Sequence, residues 1–473
     1  MNNSVVNISK KSFINVLIIL AALLIVSIAI TYIIPKGVFE TFINSNGEIV
    51  TDYDKYIPLP DASGINIFKG VFSPILVLFS KDGLSLLMLS LFLIVISGFF
   101  QIMNDVNGIK VIVRALINKF KDSKKLLIAL IALIFMAFGS FLGLFEEVLT
   151  LLPLIAMVAI SLGYDSFTGF IICVVATGFG FASALTNPFT VITASEILKI
   201  SPTSGIWLRI IVFLIMYGLL IGYTFLHIKR IEKKPECSPT YENDKCKRVT
   251  LEDNEVIENN KTIFRTYVIF FILFIISVGL STGFESLRGY TVVILVALFL
   301  IGSFISGMII KKNFKKILKS FINGVVSALP AVLLVLLASS IKYILEEGQI
   351  LATIAHSISN IVESKNIYDV AILMYLVILA LEFFISSSTA KAIFVMGILS
   401  CVSANISKEL MVLIYLFGDG YTNVLFPTSP VLLIGLSMVG MNYLSWLNKS
   451  KWLFAINALI VIILIVFAVF IGY

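Results

Sequence analysis

The feature that most constrains this chain is a series of apolar stretches, most of them 20 residues or longer, that recur from one end to the other. The first covers residues 13–34 and the last covers residues 452–473. A bilayer core about 30 Å thick requires roughly 20 apolar residues in each spanning helix. Only 13% of the residues are charged, whereas a soluble protein usually has about 25%. The pattern predicts an all-α polytopic membrane protein and excludes a soluble enzyme or a disordered chain.

Residues that could hold a metal, a cofactor or ATP are scarce. The chain has only two histidines, His227 and His356, and no P-loop string GxxxxGK[ST]. Its four cysteines form no CxxC pair, which indicates neither a zinc site nor a disulfide framework. We therefore expect no cofactor. We also expect no nucleic-acid partner, because the net charge of +7 is explained by basic residues that mark the cytoplasmic side of membrane proteins.

Lysine and arginine concentrate in three loops. They cluster at residues 110–125, 229–234 and 311–319, which predicts that these loops are cytoplasmic. The N-terminus is then cytoplasmic and the C-terminus extracellular, in a multi-pass protein of the cell membrane. Residues 35–83 are predicted to form an extracellular loop, and residues 229–263 a cytoplasmic linker. Three tryptophans are predicted to anchor helices at the membrane interface, namely Trp207, Trp446 and Trp452.

The two halves of the chain repeat one order of elements. Each half contains an amphipathic helix, a hairpin and an interrupted span, and the hairpins cover residues 126–162 and 367–404. The amphipathic helices, at residues 109–120 and 350–362, are expected to lie in the membrane interface. An additional span at residues 264–283 inverts the second half relative to the first. Two inverted repeats are typical of secondary transporters, which bind substrate near the middle of the membrane.

Polar residues interrupt the apolar stretches at matching positions of the two halves. The hairpins are interrupted at residues 139–147 (the first tip) and 382–389 (the second tip). The broken spans are interrupted at residues 183–188 (the first break) and 418–423 (the second break). Breaks in a spanning helix are tolerated only where the freed backbone is buried in protein or lines a cavity. The four elements are therefore predicted to converge on a binding site.

The two breaks share a short string. Thr186-Asn187 in the first break is repeated as Thr422-Asn423 in the second, and a proline follows each pair. Hydroxyl, amide and backbone carbonyl oxygens suit hard cations such as sodium, so a sodium ion could bind near Asn187 and Asn423. Half-helix N-termini after the breaks would favour a substrate carboxylate. The alternative is that these side chains bond only to their own backbone.

Carboxylates lie in all but the first break. An acidic side chain inside the membrane costs at least about 2.5–3.5 kcal/mol, so each one predicts a bound cation: a substrate ammonium or guanidinium, sodium, or a proton. The alternative is that an acid pairs with Lys342 or Lys391 or lies at the membrane interface. This alternative is strongest for Glu382 and Glu196. The candidate residues for binding substrate or ion are Glu146, Glu147, Thr186, Asn187, Ser386, Ser387, Ser388, Thr389, Asp419, Thr422 and Asn423.

Several of these strings together resemble one known family. Glu146-Glu147, Thr186-Asn187-Pro188-Phe189-Thr190 and Phe417-Gly418-Asp419-Gly420-Tyr421-Thr422-Asn423 resemble the YfcC family, which belongs with the anaerobic C4-dicarboxylate carriers in the ion transporter superfamily. The resemblance covers nearly the whole chain. It departs at the second tip, where this chain has Ser386-Ser387-Ser388-Thr389 in place of the Ser-Gly-Ser-Gly-Gln found in many relatives.

The resemblance implies a transporter of the elevator type, in which one part carries the site across the membrane. It also implies a homodimer formed by a fixed scaffold. The implied division is a scaffold at 1–103 and 264–345, interfacial arm helices at 104–125 and 346–366, transport parts at 126–228 and 367–473, and the linker at 229–263.

Substrates within the family include dicarboxylates and basic amino acids such as arginine and ornithine. The candidate site contains more carboxylates than lysines and no arginine, so a substrate with a cationic side chain is favoured. The alternative is a sodium- or proton-coupled carrier of C4-dicarboxylates or other organic anions, and a passive channel is a third reading. An intramembrane aspartyl protease is disfavoured, because Leu416-Phe417-Gly418-Asp419 lacks the first glycine of Gly-x-Gly-Asp. We therefore expect no enzyme activity.

Overall fold

The computed structural model describes residues 10–43, 49–59, 64–80, 83–120, 123–252, 260–284, 287, 290–311, 313–362, 366–383, 392, 395–396 and 406–473. Most of the second tip lies outside the described residues. This includes four of the candidate residues, namely Ser386, Ser387, Ser388 and Thr389. Their involvement in binding therefore stays a prediction.

The described part of the chain is mainly helical. It opens with helix Lys10–Ile33, and seven later helices of the described part are long and apolar enough to cross a membrane, whereas residues 17–33 of the first form a shorter apolar helix. These seven are Leu86–Asp105, Lys124–Leu142, Ile206–Lys233, Asn260–Ser281, Thr291–Lys311, Phe314–Glu347 and Tyr443–Phe470. The described chain therefore has the helices that the predicted polytopic membrane protein requires.

Helices Gly83–Asp105 and Phe314–Glu347 pack closely along small residues. Ser97 Oγ donates a hydrogen bond to Gly324 O at 2.8 Å, and a Cβ added at Gly324 would lie 2.4 Å from Ser97 O. Small residues allow helix backbones to approach this closely in membranes. These contacts join the two segments predicted to form the scaffold, although the division into scaffold and transport parts stays a prediction.

The described chain is mostly helical, as the all-α prediction requires, but the segment predicted to be an extracellular loop contains one β-hairpin. Strands Lys36–Ile43 and Ile49–Leu59 pair antiparallel with Lys36 opposite Leu59. The hairpin is held by helix Leu351–Val362: the Tyr56 ring stacks on His356 with centroids 4.3 Å apart, and the Tyr56 hydroxyl hydrogen-bonds Thr353 Oγ1 at 2.8 Å. An isolated two-stranded hairpin is marginal in water, so packing on a distant helix explains its presence. Among the described residues after the hairpin, short helices lie at Ile67–Val71, Ser73–Leu76 and Val77–Phe79.

Both predicted amphipathic helices are present, at Gly108–Lys119 and Leu351–Val362. The apolar side chains of Ile109 and Val113 in the first are buried, as helical spacing predicts. The position of these helices in the membrane interface and their role as arms stay predictions.

The segment predicted as a polar linker contains a docked helix. Helix Ile206–Lys233 is followed by a turn at Pro235–Cys237 and helix Tyr241–Glu252. The carboxylate of Asp244 is fully buried and accepts a hydrogen bond from Ser166 N at 2.8 Å. On the same helix, Asn243 Nδ2 donates to Gly440 O. The linker helix therefore contacts both halves of the chain.

Trp446 is not an interface anchor. It lies in helix Tyr443–Phe470, is fully buried, and its indole Nε1 donates to Val424 O at 2.9 Å. Buried tryptophan usually finds such an acceptor for its N–H. The carbonyl of Val424 belongs to a break in a helix, so Trp446 satisfies backbone that the break has freed. Trp207 and Trp452 are exposed, as interface anchors would be.

Candidate functional site

The first hairpin breaks where the sequence predicts. Helix Lys124–Ala137 continues as a wider π-helical turn at Phe138–Leu142, and the chain returns through Glu147–Thr150 and helix Leu152–Ser161. The turn depends on Gly143, which has φ of +68°, a left-handed conformation that glycine adopts without strain. A Cβ at this position would also lie 2.5 Å from Asn187 Oδ1. Gly143 therefore brings the first tip against the first break.

The first broken span is also confirmed as broken. Its first half covers residues 166–182 and its second half covers residues 188–198. Asn187 Oδ1 accepts a hydrogen bond from Phe189 N at 2.9 Å, which caps the second half, and Pro188 has no N–H to satisfy. The sequence Asn-Pro therefore both ends one helix segment and begins the next.

Hydrogen bonds join the first tip to the first break. Ser140 O accepts from Leu185 N at 3.0 Å and from Thr186 N at 3.2 Å, while Ser140 Oγ donates to Ser183 O at 3.0 Å. Asn187 Nδ2 donates to Gly139 O at 3.0 Å. The backbone groups that the two interruptions free are therefore satisfied largely by each other, as buried polar groups must be.

The second broken span is interrupted over a longer stretch than predicted. Helix Lys408–Asp419 ends in a 3₁₀ turn at Tyr421–Val424, and helix Pro430–Val439 follows. Thr422 Oγ1 donates to Gly418 O at 2.8 Å, and Asn423 Nδ2 donates to Asp419 O at 2.7 Å. Both side chains thus bond their own helix end, which is the alternative that the sequence left open for residues of this type.

The two breaks are in direct contact. A Cβ added at Gly420 would lie 2.0 Å from Ala182 N, so the second break packs against the backbone just before the first. One turn earlier, Gly178 faces Val424, and a Cβ there would lie 2.7 Å from the valine side chain. Two interruptions more than 230 residues apart in sequence therefore meet at one place in the fold, as the paired breaks predict.

Three buried carboxylates lie in these elements, and two of them, Glu147 and Asp419, lie at the first tip and the second break. Glu147 is 6% exposed and Asp419 is fully buried. Phe145 N donates to Glu147 Oε2 at 3.1 Å, and the Tyr415 hydroxyl lies 3.5 Å from Asp419 Oδ1. Both carboxylates therefore have hydrogen-bond donors from their own segments. Both are also removed from water, and an anionic group attracts a cation more strongly inside the protein than in water.

The remaining predicted acids differ in their exposure. Glu146 is half-buried, next to the buried Glu147, whereas Glu382 is 4% exposed at the end of helix Ile367–Glu382. Glu196 is exposed, which agrees with an interface position rather than with a site. Among the described residues, no group of three or more histidine, cysteine, aspartate or glutamate side chains could hold a metal ion.

One charged residue beside the first break was not predicted from the sequence, because no arginine lies within the tips or breaks. Arg209 is 2% exposed. Its NH1 donates to Leu185 O at 3.1 Å, and its NH2 donates to Ser204 O at 3.0 Å and also to Pro202 O. An arginine close to the start of an apolar span was the only signal in the sequence. The guanidinium thus holds the first break to the loop that follows it.

Comparison with known proteins identifies the chain's relatives. It is 27% identical over 395 residues to YfcC of Escherichia coli (strain K12), whose name carries a provisional assignment as a basic amino acid antiporter; the match covers 81% of this chain and 78% of YfcC. It is also 27% identical over 371 residues to an uncharacterized protein of Haemophilus influenzae, covering 76% of this chain and 70% of that protein.

Two solved transporter structures also align with the chain. The YdaH transporter of Alcanivorax borkumensis has a TM-score of 0.43 at 15% identity, over 96% of this chain and 99% of YdaH. MtrF of Neisseria gonorrhoeae, described with a class of antimetabolite efflux pumps, has a TM-score of 0.43 at 14% identity, over 96% of this chain and 94% of MtrF.

The family assignment rests on the sequence. The model of the family described as the C4-dicarboxylate anaerobic carrier, DcuC, matches residues 13–470, nearly the whole chain, which confirms the resemblance to this group. With seven helices suited to crossing a membrane among its described residues, the chain is a multi-pass membrane protein that belongs to the DcuC family of transporters.

Proposed function

We propose that this protein is a secondary active transporter of the cell membrane that exchanges basic amino acids of the arginine and ornithine type. The observation that carries the proposal is the burial of Glu147 and Asp419 in the interrupted segments of two halves that meet at Gly420 and Ala182. A substrate with a cationic side chain supplies the opposite charge that such carboxylates favour. The provisional name of the Escherichia coli relative points the same way.

Burial of the carboxylates supports exchange, provided that the substrate itself supplies the neutralising charge. Moving an unneutralised carboxylate through the membrane costs at least about 2.5–3.5 kcal/mol. A cationic substrate, or a coupling sodium ion or proton, removes part of that cost, so the loaded site crosses more readily than the empty one. Under this proposal Glu147 and Asp419 bind the cationic group, and Thr186, Asn187, Thr422 and Asn423 hold the interrupted backbone in place around it.

The transport movement is proposed to be of the elevator type, in a homodimer held by the scaffold. The hydrogen bonds between the first tip and the first break and the close contact of the two breaks support this, because they tie the site into one body that can move as a unit. Helices Gly108–Lys119 and Leu351–Val362 would connect that body to the scaffold.

A second candidate is a sodium- or proton-coupled C4-dicarboxylate carrier. It is favoured by the description of the family and by Arg209, a buried guanidinium beside the first break. Against it, Arg209 already donates to the carbonyl groups of Leu185, Pro202 and Ser204, which leaves fewer of its five N–H groups for a substrate carboxylate.

Exchange in liposomes distinguishes the two candidates. Purified protein is reconstituted with internal ornithine, arginine or succinate, and uptake of labelled arginine or succinate is measured with and without a sodium gradient. We expect internal ornithine to accelerate labelled arginine uptake and internal succinate to have no effect. Exchange of succinate without arginine would replace the proposal with the second candidate, and uptake that is insensitive to internal substrate would indicate a channel.

A further inference from the structure

A groove separate from the breaks lies at the end of two membrane-spanning helices. It has a volume of about 730 Å³ and lies between the start of helix Lys124–Ala137 and the last turns of helix Ile206–Lys233. The distribution of basic residues predicts that this end is cytoplasmic. Tyr217 donates its hydroxyl hydrogen to Ala129 O at 2.9 Å, which fixes the spacing of the two helices deeper in the membrane.

The mouth of the groove carries excess positive charge. Three lysines line it, Lys125, Lys229 and Lys233, together with one acid, Glu232. The lysines are exposed, and none of them forms an ion pair with another of the residues that the structure describes. The groove therefore presents a net charge of about +2 with ammonium groups available to an anion.

The interior of the groove is apolar and open. Gly222, Phe225 and Leu226 line it, on the same helix face as Lys229 and Lys233, because positions three, four and seven apart share a face. A Cβ added at Gly222 would meet no atom within 4 Å, so there is open space beside the helix at this position. Leu226 is 63% exposed, as expected for a side chain that faces lipid rather than water.

We propose that this groove binds an anionic glycerophospholipid. The phosphate and headgroup lie among Lys125, Lys229 and Lys233, and an acyl chain runs along Gly222 and Leu226 toward the hydrocarbon core. Basic pockets between spanning helices on the cytoplasmic side are suited to anionic headgroups, and long lysine side chains near helix ends reach the interface. A lipid can contact both the lysines at the mouth and the apolar side chains of the interior, whereas a water-soluble phosphate can contact only the lysines.

Titration with short-chain lipids tests the proposal. The full-length protein in a neutral detergent is titrated with dioctanoyl phosphatidylglycerol and with dioctanoyl phosphatidylcholine, and bound lipid is counted by native mass spectrometry. We expect phosphatidylglycerol to bind at least tenfold more tightly. The double variant K229Q/K233Q should weaken its binding about 25-fold, at about fivefold for each lysine removed.

A matched control separates the groove from the general surface charge. Lys315 and Lys319 have the same spacing and are also exposed, at the start of helix Phe314–Glu347. The variant K315Q/K319Q therefore removes the same charge elsewhere and should bind phosphatidylglycerol as the wild type does. Equal losses in both double variants would overturn the proposal, because they would show attraction to overall charge alone.

Two further variants test the proposal if K229Q/K233Q fails to fold. Gly222→Leu keeps every lysine but fills the interior of the groove, so it should weaken phosphatidylglycerol binding at least tenfold. E232Q removes the acid that lines the groove, so it should strengthen phosphatidylglycerol binding. Glycerol phosphate at the same concentration should not compete. Unchanged binding in Gly222→Leu, or full competition by glycerol phosphate, would show a plain anion site and contradict a lipid.

Discussion

Gly420 lies directly against the backbone of Ala182, so that a side chain at Gly420 would begin 2.0 Å from Ala182 N and 2.2 Å from Ala182 Cα. This contact joins the second break to the end of the helix segment that precedes the first. Because backbone atoms rather than a flexible side chain occupy the space, the neighbour cannot move aside cheaply. The contact of the two halves therefore depends on glycine at this position.

Substitution of Gly420 by alanine should separate the two breaks. Overpacking a tight core costs about 1–3 kcal/mol, and here we expect at least the upper end of that range together with loss of transport. The measurement is the melting temperature in detergent and the rate of substrate exchange in liposomes. Gly218→Ala is the matched control, since a Cβ at Gly218 meets nothing within 4 Å. Equal behaviour of the two variants would show that the contact at Ala182 does not matter.

Asn187 should be more important for stability than its counterpart Asn423. Its side chain accepts from Phe189 N and donates to Gly139 O, whereas Asn423 Nδ2 donates to Asp419 O within its own segment. Asn187→Ala leaves the buried Gly139 carbonyl and the half-buried Phe189 N–H unpaired, at about 2–4 kcal/mol in total. Asn423→Ala should cost about 1 kcal/mol. Melting temperatures of the two variants test this order, and a larger loss for Asn423→Ala would refute it.

These two asparagines show what the sequence could and could not predict. The string Thr-Asn in each half correctly placed both breaks, because proline and short polar residues interrupt helices by local chemistry. The partners of the side chains were not predictable. Asn187 bonds to Gly139 in another element, and the proline directly after it indicates a helix start without identifying that partner.

The features that the sequence missed share the same cause. The β-hairpin is stabilised by Tyr56 stacking on His356, about 300 residues away, and the burial of Trp446 depends on its bond to Val424 O just after the second break. In the sequence Arg209 lies near the start of an apolar span, and only its contact with Leu185 O places it beside the first break. Each depends on tertiary contacts, which override local patterns.

Acid should destabilise the protein partly through Asp165, at the end of the first hairpin. Burial alone would raise the pKa of Asp165, but the nearby His227 imidazole, with Nε2 at 2.9 Å from Asp165 Oδ2, and the hydroxyls of Ser238 and Thr168 lower it below its ordinary value of 3.8. A carboxylate with a depressed pKa stabilises the fold fully above about pH 5, and that contribution is lost as the pH falls below 3.8. The stability of D165N should therefore lack this acid-sensitive contribution.

The check is the melting temperature of wild type and D165N between pH 7 and pH 3. The difference in melting temperature between wild type and D165N should be largest at neutral pH and should become smaller in acid. E242Q is the control, because Glu242 is exposed on the linker helix and pairs only with Lys245, at 2.8 Å. A gap between wild type and D165N that does not change with pH would argue against a role for the Asp165 charge.

The most direct measurement of the central claim is binding of labelled arginine to purified wild-type protein and to E147Q, D419N and E196Q. Hydrogen bonds to charged groups contribute about 1.5–3 kcal/mol, so each of the first two variants should bind arginine at least tenfold more weakly. E196Q should bind as the wild type does, because Glu196 is exposed. If E147Q and D419N both bind arginine with unchanged affinity, the interrupted helices do not form the substrate site.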